Sequence, residues 1–333
     1  MKNPESKGAL KSLVRRLLPR RVALGGMSIG RWYLQHTQTP LGKSQLVEAI
    51  VKLATAAPTT HVVSTIVGPR IAVAFPDLIQ RSLYCFGVWE PTTTRFIQCR
   101  LEPGDVFIDI GANIGYHSCC ASAHVGTGGR VYAFEASPSI FVQLQHNLQL
   151  NDASNVVAAN CAIMDSSKTI SVFKADDNNI GRTTVVGNRA NAHEFQKEAS
   201  IAALSLLDAV PTDELFGARL IKIDVEGAET SIIDGIKDQI SSFSPTTEWL
   251  IEVDGSRSET DQDHVAELVR CFHNAGYRMY QLENRYDLAW YIEDSQRILS
   301  APAEALVEPL STPPTGLADL VFSKRLPGEA HAP

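Results

Sequence analysis

Residues 107–118, FIDIGANIGYHS, decide the fold. A short apolar run carries the chain to Asp109, a turn follows with Gly111 and Gly115, and a helical pattern starts near Tyr116. In an open α/β sheet, ligands bind outside the carboxyl ends of the strands, near the point where strand order switches. Gly111 lets the backbone turn sharply and lets a ligand approach where a Cβ would clash. The next strand pattern, RVYAFE at 130–135, ends in Glu135. An acid about 20 residues beyond such a turn accepts hydrogen bonds from both hydroxyls of a ribose.

These features predict a site for an adenosine-containing cofactor, built from Asp109, Gly111, Ala112, Asn113, Gly115 and Glu135. A dinucleotide turn, G-x-G-x-x-G, brings backbone N–H groups to a pyrophosphate. Here Ala112 and Asn113 stand where that pattern needs a second glycine. Asp109, at the strand's end, also suits an ammonium group better than a phosphate. S-adenosylmethionine, with a ribose, an amino group and a positive sulfur, fits this turn. A NAD-dependent Rossmann enzyme is the alternative, and a non-catalytic interaction protein on the same fold is another.

Outward from this turn, strand patterns at 106–110, 130–135, 155–160, 219–225 and 248–254 alternate with helical ones. Their unbroken Val/Ile/Leu/Phe runs suit parallel strands covered on both faces. Ser137-Pro138 supplies an N-cap and an N1 proline for a helix reaching about Asn147, and a helix over Asp261–Asn274 ends at Gly276. YRMYQL (277–282) and LADLVFSK (317–324) predict a closing pair of strands, with a long insert at 283–316. The expectation is α/β, a doubly wound and mostly parallel sheet. Before it, Ser44–Ala57 predicts an amphipathic helix, and HVVSTIV and RIAVAF predict two strands joined at Gly68-Pro69. The expected organisation is a basic tail with an N-terminal helical and two-stranded extension at 1–90, a catalytic domain at 91–325 and a tail at 326–333.

The chain has 333 residues, 44% of them hydrophobic and 20% charged, which excludes a disordered or collagen-like protein. A net charge of −7 argues against nucleic-acid binding through bulk positive charge. No apolar run is long enough to span a membrane. The basic N-terminal stretch lacks a signal peptide's apolar segment, and none of the six cysteines forms a CxxC pair, so a reducing, cytoplasmic setting is expected. Leu10, Leu13, Val14, Leu17 and Leu18 lie at helical spacing among the basic residues. That stretch is either a solvated tail or a peripheral contact with anionic lipid.

GVWEP (87–91), EPGDVFIDIGANIGYHS (102–118), RVYAFEASP (130–138) and LIKIDVEGAE (220–229) resemble, in order and spacing, the FkbM family of S-adenosylmethionine-dependent methyltransferases. The resemblance covers about 85–255, and IKIDVEGAE is its most specific segment. It implies a seven-stranded Rossmann-like class I methyltransferase sheet and O-methylation of natural products or sugars. It further implies that Asn160, ending the third strand, faces the adenine edge.

Lys222, Asp224 and Glu226 gather at the fourth strand's carboxyl end. Methyl transfer to a hydroxyl needs the acceptor oriented and its proton removed. Asp224, Glu226 and His117 are candidate bases, with Lys222 positioning a carboxylate. His117 also suits a helix-start residue bonded to a nearby carbonyl. Glu90 either reaches the cofactor's amino end or caps the helix after it, and Glu229 suits a helix-dipole partner. Asp224 with Glu252 and Asp254 is a possible oxygen site for Mg²⁺, although the favoured reading is metal-independent. The polar stretch 176–200 predicts a long loop in which Arg182, Thr183 and Thr184 are candidate acceptor contacts.

Overall fold

Alternation along the central strands divides their side chains between two cores. Phe107, Val131, Ala133, Leu220 and Leu250 belong to one, while Ile108, Ile110, Tyr132, Phe134, Ile221, Ile223, Trp249 and Ile251 belong to the other. Successive strand residues point to opposite faces, so a sheet apolar on both must be covered on both. The computed structural model describes residues 20–37, 39–56, 60–174, 184–185, 195–256 and 258–325.

An antiparallel hairpin, β1 (His61–Ser64) and β2 (Arg70–Val73), precedes the main sheet. The chain then lays down β3 (Val106–Ile110), β4 (Arg130–Phe134) and β5 (Val156–Ala159). Next come β6 (Ala162–Met164), β7 (Lys168–Lys174) and β8 (Gln196–Ser205). The remaining strands are β9 (Leu220–Ile223), β10 (Glu248–Asp254), β11 (Arg278–Leu282), β12 (Val307–Pro309) and β13 (Leu317–Ser323). The central order is β12-β11-β13-β10-β9-β3-β4-β5. From β10 to β5 all neighbours are parallel, and β13 inserts antiparallel between β10 and β11. Strand order reverses between β3 and β9, which is where a doubly wound sheet opens its crevice.

The structure adds two features to the expected architecture. The sheet has eight strands, not seven, because the 283–316 insert folds β12 against the edge of β11. Secondly, 176–200 is not all loop: Gln196–Ser200 starts β8, which forms a separate sheet in the order β6-β8-β7. Arg182, Thr183, the basic tail at 1–19 and residues 326–333 lie outside the described residues.

The helices Arg20–His36, Lys43–Ala56 and Leu78–Phe86 share the first core: Met27, Leu34, Val47, Ile50 and Leu83 pack in one cluster with Phe107 and Val131. Fully burying each such side chain stabilises the fold by about 1.5–3 kcal/mol. Among the described residues no helix is long and apolar enough to cross a membrane. All six cysteines are free thiols.

Candidate active site

A cleft of about 330 Å³ opens at the carboxyl ends of β3, β4, β9 and β10. Register places Ala133, Asp109, Lys222 and Leu250 side by side across the sheet. Two residues further along the same strands come Glu135, Gly111, Asp224 and Glu252, with Asp319 of β13 paired to Glu252. A period of two thus turns one row of the sheet face into a rim of carboxylates.

The turn after β3 has little left to offer an anion. The N–H groups of Gly111 and Ala112 both donate to the Phe134 carbonyl at 2.9 Å, and that of Gly115 donates to Ala112 O at 2.9 Å. The Asn113 N–H donates to Glu135 Oε2 at 2.9 Å, and the Ile114 N–H to Asn113 Oδ1 at 2.7 Å. A pyrophosphate would have to break these bonds, because it is held by free N–H groups at such a turn. Gly111 makes the sharp turn expected of it, but what approaches it closely is not a ligand. Its φ is +82°, and a Cβ would lie 1.8 Å from the Asp224 carbonyl oxygen, so the neighbouring strand's backbone, not a ligand, occupies that space. Gly115 similarly faces Leu144, at 3.2 Å from an added Cβ.

Glu135 is buried at the edge of the cleft. Its Oε1 accepts from the Ser137 N–H at 2.8 Å while Oε2 accepts from Asn113. Burial pushes its carboxyl up to about 7, against the lowering effect of these two bonds. Each oxygen keeps a lone pair for a further donor. Behind it, Ser137 Oγ donates to Glu198 Oε2 at 2.6 Å and the Ser139 N–H to Glu198 Oε1 at 3.0 Å. Ile140, Cys161, Ala162 and Ile163 complete this half as an apolar wall.

Asn160 departs from its expected place: its amide donates to the carbonyls of Glu135 and Ala136 at 2.8 and 3.0 Å, and the cleft lining passes to Cys161 and Ala162. The side chain clamps the end of β4 instead of facing the cleft. Asp109 likewise lies beneath the lining. Its Oδ2 accepts from Ser118 Oγ at 2.6 Å, and its Oδ1 sits 3.8 Å from Lys222 Nζ.

The other half of the cleft is a crowd of acids around one cation. Lys222 is buried and donates to Asp224 Oδ2 at 2.8 Å. Burial alone would lower its pKa, but Asp224, Asp109 and Glu90 outweigh burial and hold it above the usual lysine value. Asp224 keeps 31% of its side chain exposed, so it faces the open cleft. Glu90 is buried, with a left-handed φ of 42° and Pro91 next in the chain. An uncommon backbone for a side chain is retained where surroundings fix it. Glu90 makes no side-chain cap; its Oε1 accepts from the Tyr286 hydroxyl at 3.0 Å. Burial first, then Asp319 and Asp224, push its carboxyl up to about 8.

Burial and its acidic neighbours also hold Glu252 well above the carboxylate range, and burial pushes Asp319 up to about 6. Asp319 Oδ2 accepts from Asn284 Nδ2 at 2.8 Å. His117 is not bonded to a backbone carbonyl as a helix-start residue would be. It lies 3.4 Å from Thr94 Oγ1 and 4.0 Å from Glu90 Oε2, and burial, then Lys222, keeps it well below the usual histidine value. Glu226 lines the cleft with φ 54°, and its carbonyl accepts from Thr184 Oγ1 at 3.0 Å. Glu229 turns away to accept from the Gly227 N–H at 2.7 Å. Asp254 accepts from Ser256 N–H and Oγ, and among the described residues no group of three His, Cys, Asp or Glu side chains is arranged to hold a metal ion.

Asp319, Asn284, Tyr286 and Glu198 escaped the sequence reading. The one signal for Asp319 was its place in a closing strand whose neighbour would have to be β10.

Comparison with known proteins reaches the same region. The model of the methyltransferase FkbM domain matches residues 109–279. Over 155 residues the chain is 26% identical to hexuronic acid methyltransferase AglP of Haloferax volcanii, covering 46% of this chain and 59% of that protein. Over 154 residues it is 29% identical to methyltransferase 1 of Beauveria bassiana, covering 41% of this chain and 61% of that protein. The chain thus spans about three fifths of the length of these curated relatives. A solved S-adenosylmethionine-dependent O-methyltransferase of Thermotoga maritima superposes at a TM-score of 0.38 and 14% identity, covering 86% of this chain and 83% of that one, too loosely to bear on activity. With residues 109–279 matched in order, and with Glu135, Lys222 and Asp224 inside that span, the chain belongs to the FkbM methyltransferase family.

Proposed function

We propose that the chain transfers the methyl group of S-adenosylmethionine to a hydroxyl oxygen of a sugar or secondary metabolite. The observation that carries this is the turn itself: Glu135 is pinned by two backbone N–H groups beside a turn whose own N–H groups are all engaged. That arrangement accepts ribose hydroxyls and refuses a pyrophosphate. The relative named for hexuronic acid supports a sugar acceptor.

The residues present fit the cofactor. Glu135 would hold the ribose, and Ile140, Cys161 and Ile163 would flank the adenine. When bound, S-adenosylmethionine supplies a methyl group on a positively charged sulfur. The carboxylates of the rim favour that charge. Asp224 would accept the hydroxyl proton of the acceptor. Lys222, bonded to Asp224 Oδ2, fixes the carboxylate's orientation and leaves Oδ1 for the acceptor. His117 and Glu90, buried behind the cleft, shape its wall around Trp89.

Melting temperature with each cofactor in excess tests the reading, because a ligand that binds only the native state raises it. S-adenosylmethionine is expected to raise it and NAD to leave it unchanged; the reverse pattern overturns the proposal. Release of S-adenosylhomocysteine across a panel of sugars and sugar acids then identifies the acceptor.

A further inference from the structure

Beside the cleft lies a second cavity of about 270 Å³, walled by Val47, Val51, Phe86, Leu288 and Tyr291. The two spaces share Leu78 and Tyr286 in their linings, so they adjoin at those side chains. Tyr286 is fixed on both sides. Its ring stacks on Trp89 at 5.4 Å, and its hydroxyl donates to Glu90 Oε1 in the cleft. Yet 37% of it remains exposed, unusual for an aromatic ring so held. A largely apolar space close to the lower end of ligand-pocket size, adjoining a reaction cleft, points to an occupant.

Its walls come from the helices Lys43–Ala56 and Leu78–Phe86 and from the insert after β11, all outside residues 109–279. The parts of the chain that differ from the shared domain therefore build this space. We propose that it is an acceptor subsite: it takes an apolar, alkyl-type portion of the methyl acceptor, while the hydroxyl-bearing end lies in the cleft against the Trp89–Tyr286 stack. This rests on the reading of the cleft as the acceptor site. The charged residues of its lining are Arg81, half-buried, and the pair Lys52 and Glu48, 3.6 Å apart with both side chains largely in solvent. The apolar walls Val47, Val51, Phe86 and Leu288 favour an aliphatic group between them.

The test is calorimetric titration of the full chain with n-octyl β-D-glucopyranoside, below its micellar concentration, and with methyl β-D-glucopyranoside. The octyl glycoside is expected to bind at one site at least tenfold more tightly than the methyl glycoside. Val51→Trp and Leu288→Trp fill the cavity from opposite walls, and either one that melts like the wild type decides the case. In it the octyl advantage falls at least tenfold and methyl glycoside binding stays as it was. Equal binding of the two glycosides by the wild type, or an undiminished octyl advantage in a folded variant, overturns the subsite. Titrating S-adenosylmethionine into the same samples separates the two readings: loss of its binding by the wild type sinks the cofactor assignment and leaves the octyl result standing.

Discussion

The two halves of the cleft differ in what acts most strongly on a buried acid after burial itself. At β3 and β4, burial raises Glu135, and the N–H groups of Ser137 and Asn113 work against that rise. In the other half, burial raises Glu90, at the start of the helix Pro91–Arg100, and the carboxylates of Asp319 and Asp224 add to the rise more than Lys222 and the Tyr286 hydroxyl oppose it. A carboxylate bonded to backbone donors is held in one place with its charge supported. A carboxylate facing other carboxylates keeps its proton, and perturbed groups of this kind gather where chemistry is done. The first half is built to hold a fixed ligand, and the second to respond when an acceptor and a positive charge arrive.

The largest effect should come from the residue that joins the second half to the open cleft. Asp224→Asn keeps the shape and a bond to Lys222 but removes the charge and the basicity. A positioned general base contributes about 10²–10⁴-fold, so turnover should fall by that factor with S-adenosylmethionine affinity nearly unchanged. Release of S-adenosylhomocysteine and calorimetry on one preparation check it. Wild-type turnover would break the division of labour and move the search for a base to Glu226.

Glu135→Ala should act in the opposite sense, on binding before turnover. Hydrogen bonds to a charged acceptor are worth about 1.5–3 kcal/mol, so cofactor affinity should drop by that amount. The variant also strips the N–H groups of Asn113 and Ser137 of their partner. Each buried donor left unsatisfied costs about 1–3 kcal/mol, so the melting temperature should fall as well. A folded variant with undiminished affinity would show that Glu135 braces the turn and does not hold the ribose.

The first half was far more legible in the sequence than the second. Glu135, Asn113 and the two glycines lie within one β-α-β stretch, and local strand and turn chemistry places them. Lys222, Asp224 and Glu252 followed from strand ends and a period of two. Asp319 did not, because its contact with Glu252 exists only after β13 inserts antiparallel between β10 and β11. Asn284 and Tyr286 belong to an insert with no periodic pattern, and Glu198 reaches Ser137 from the small sheet. Gly111 was found for an incomplete reason. A turn glycine announces that something is close, and only the coordinates of Asp224 say that it is backbone.

A pH series should expose the second half in the stability of the whole protein. The folded chain holds protons on Glu90 up to about 8 and on Asp319 up to about 6, whereas the ordinary values are 4.5 and 3.8. An acid whose folded value is raised stabilises fully below its unfolded value, and that stability is lost as pH rises through the folded one. Glu135, up to about 7, follows the same sign. Below about pH 6.5 His117, held well under the ordinary histidine value, adds stability as pH rises and opposes this loss, so the melting temperature should decline between about pH 6.5 and pH 8. Glu252→Gln, which removes one of the raised acids from the cluster, should flatten the decline. It should also raise the melting temperature at pH 8 by about 1–2 °C, the shift expected for about 1 kcal/mol in a chain of 333 residues. A flat profile in the wild type would mean that the acids of the rim find partners which relieve their crowding.

The smallest effect belongs to an acid that sits near the cleft without joining either half. Glu229 opens the helix Glu229–Asp234 and accepts from the Gly227 N–H at 2.7 Å. A negative charge in the first turn of a helix is worth about 0.3–1 kcal/mol through the dipole. Glu229→Gln keeps an acceptor oxygen for Gly227 and loses only the charge, so stability should fall by no more than that. Turnover and cofactor affinity should both remain at wild-type levels. Glu229 lies five residues after Asp224 in the same segment, so the pair is an internal control for proximity in sequence. If Glu229→Gln lowers turnover as far as Asp224→Asn does, charge anywhere in the segment supports the reaction and Asp224 has no special station. If only Asp224→Asn does, the row of the sheet that brings Asp224 to the rim is what selects it.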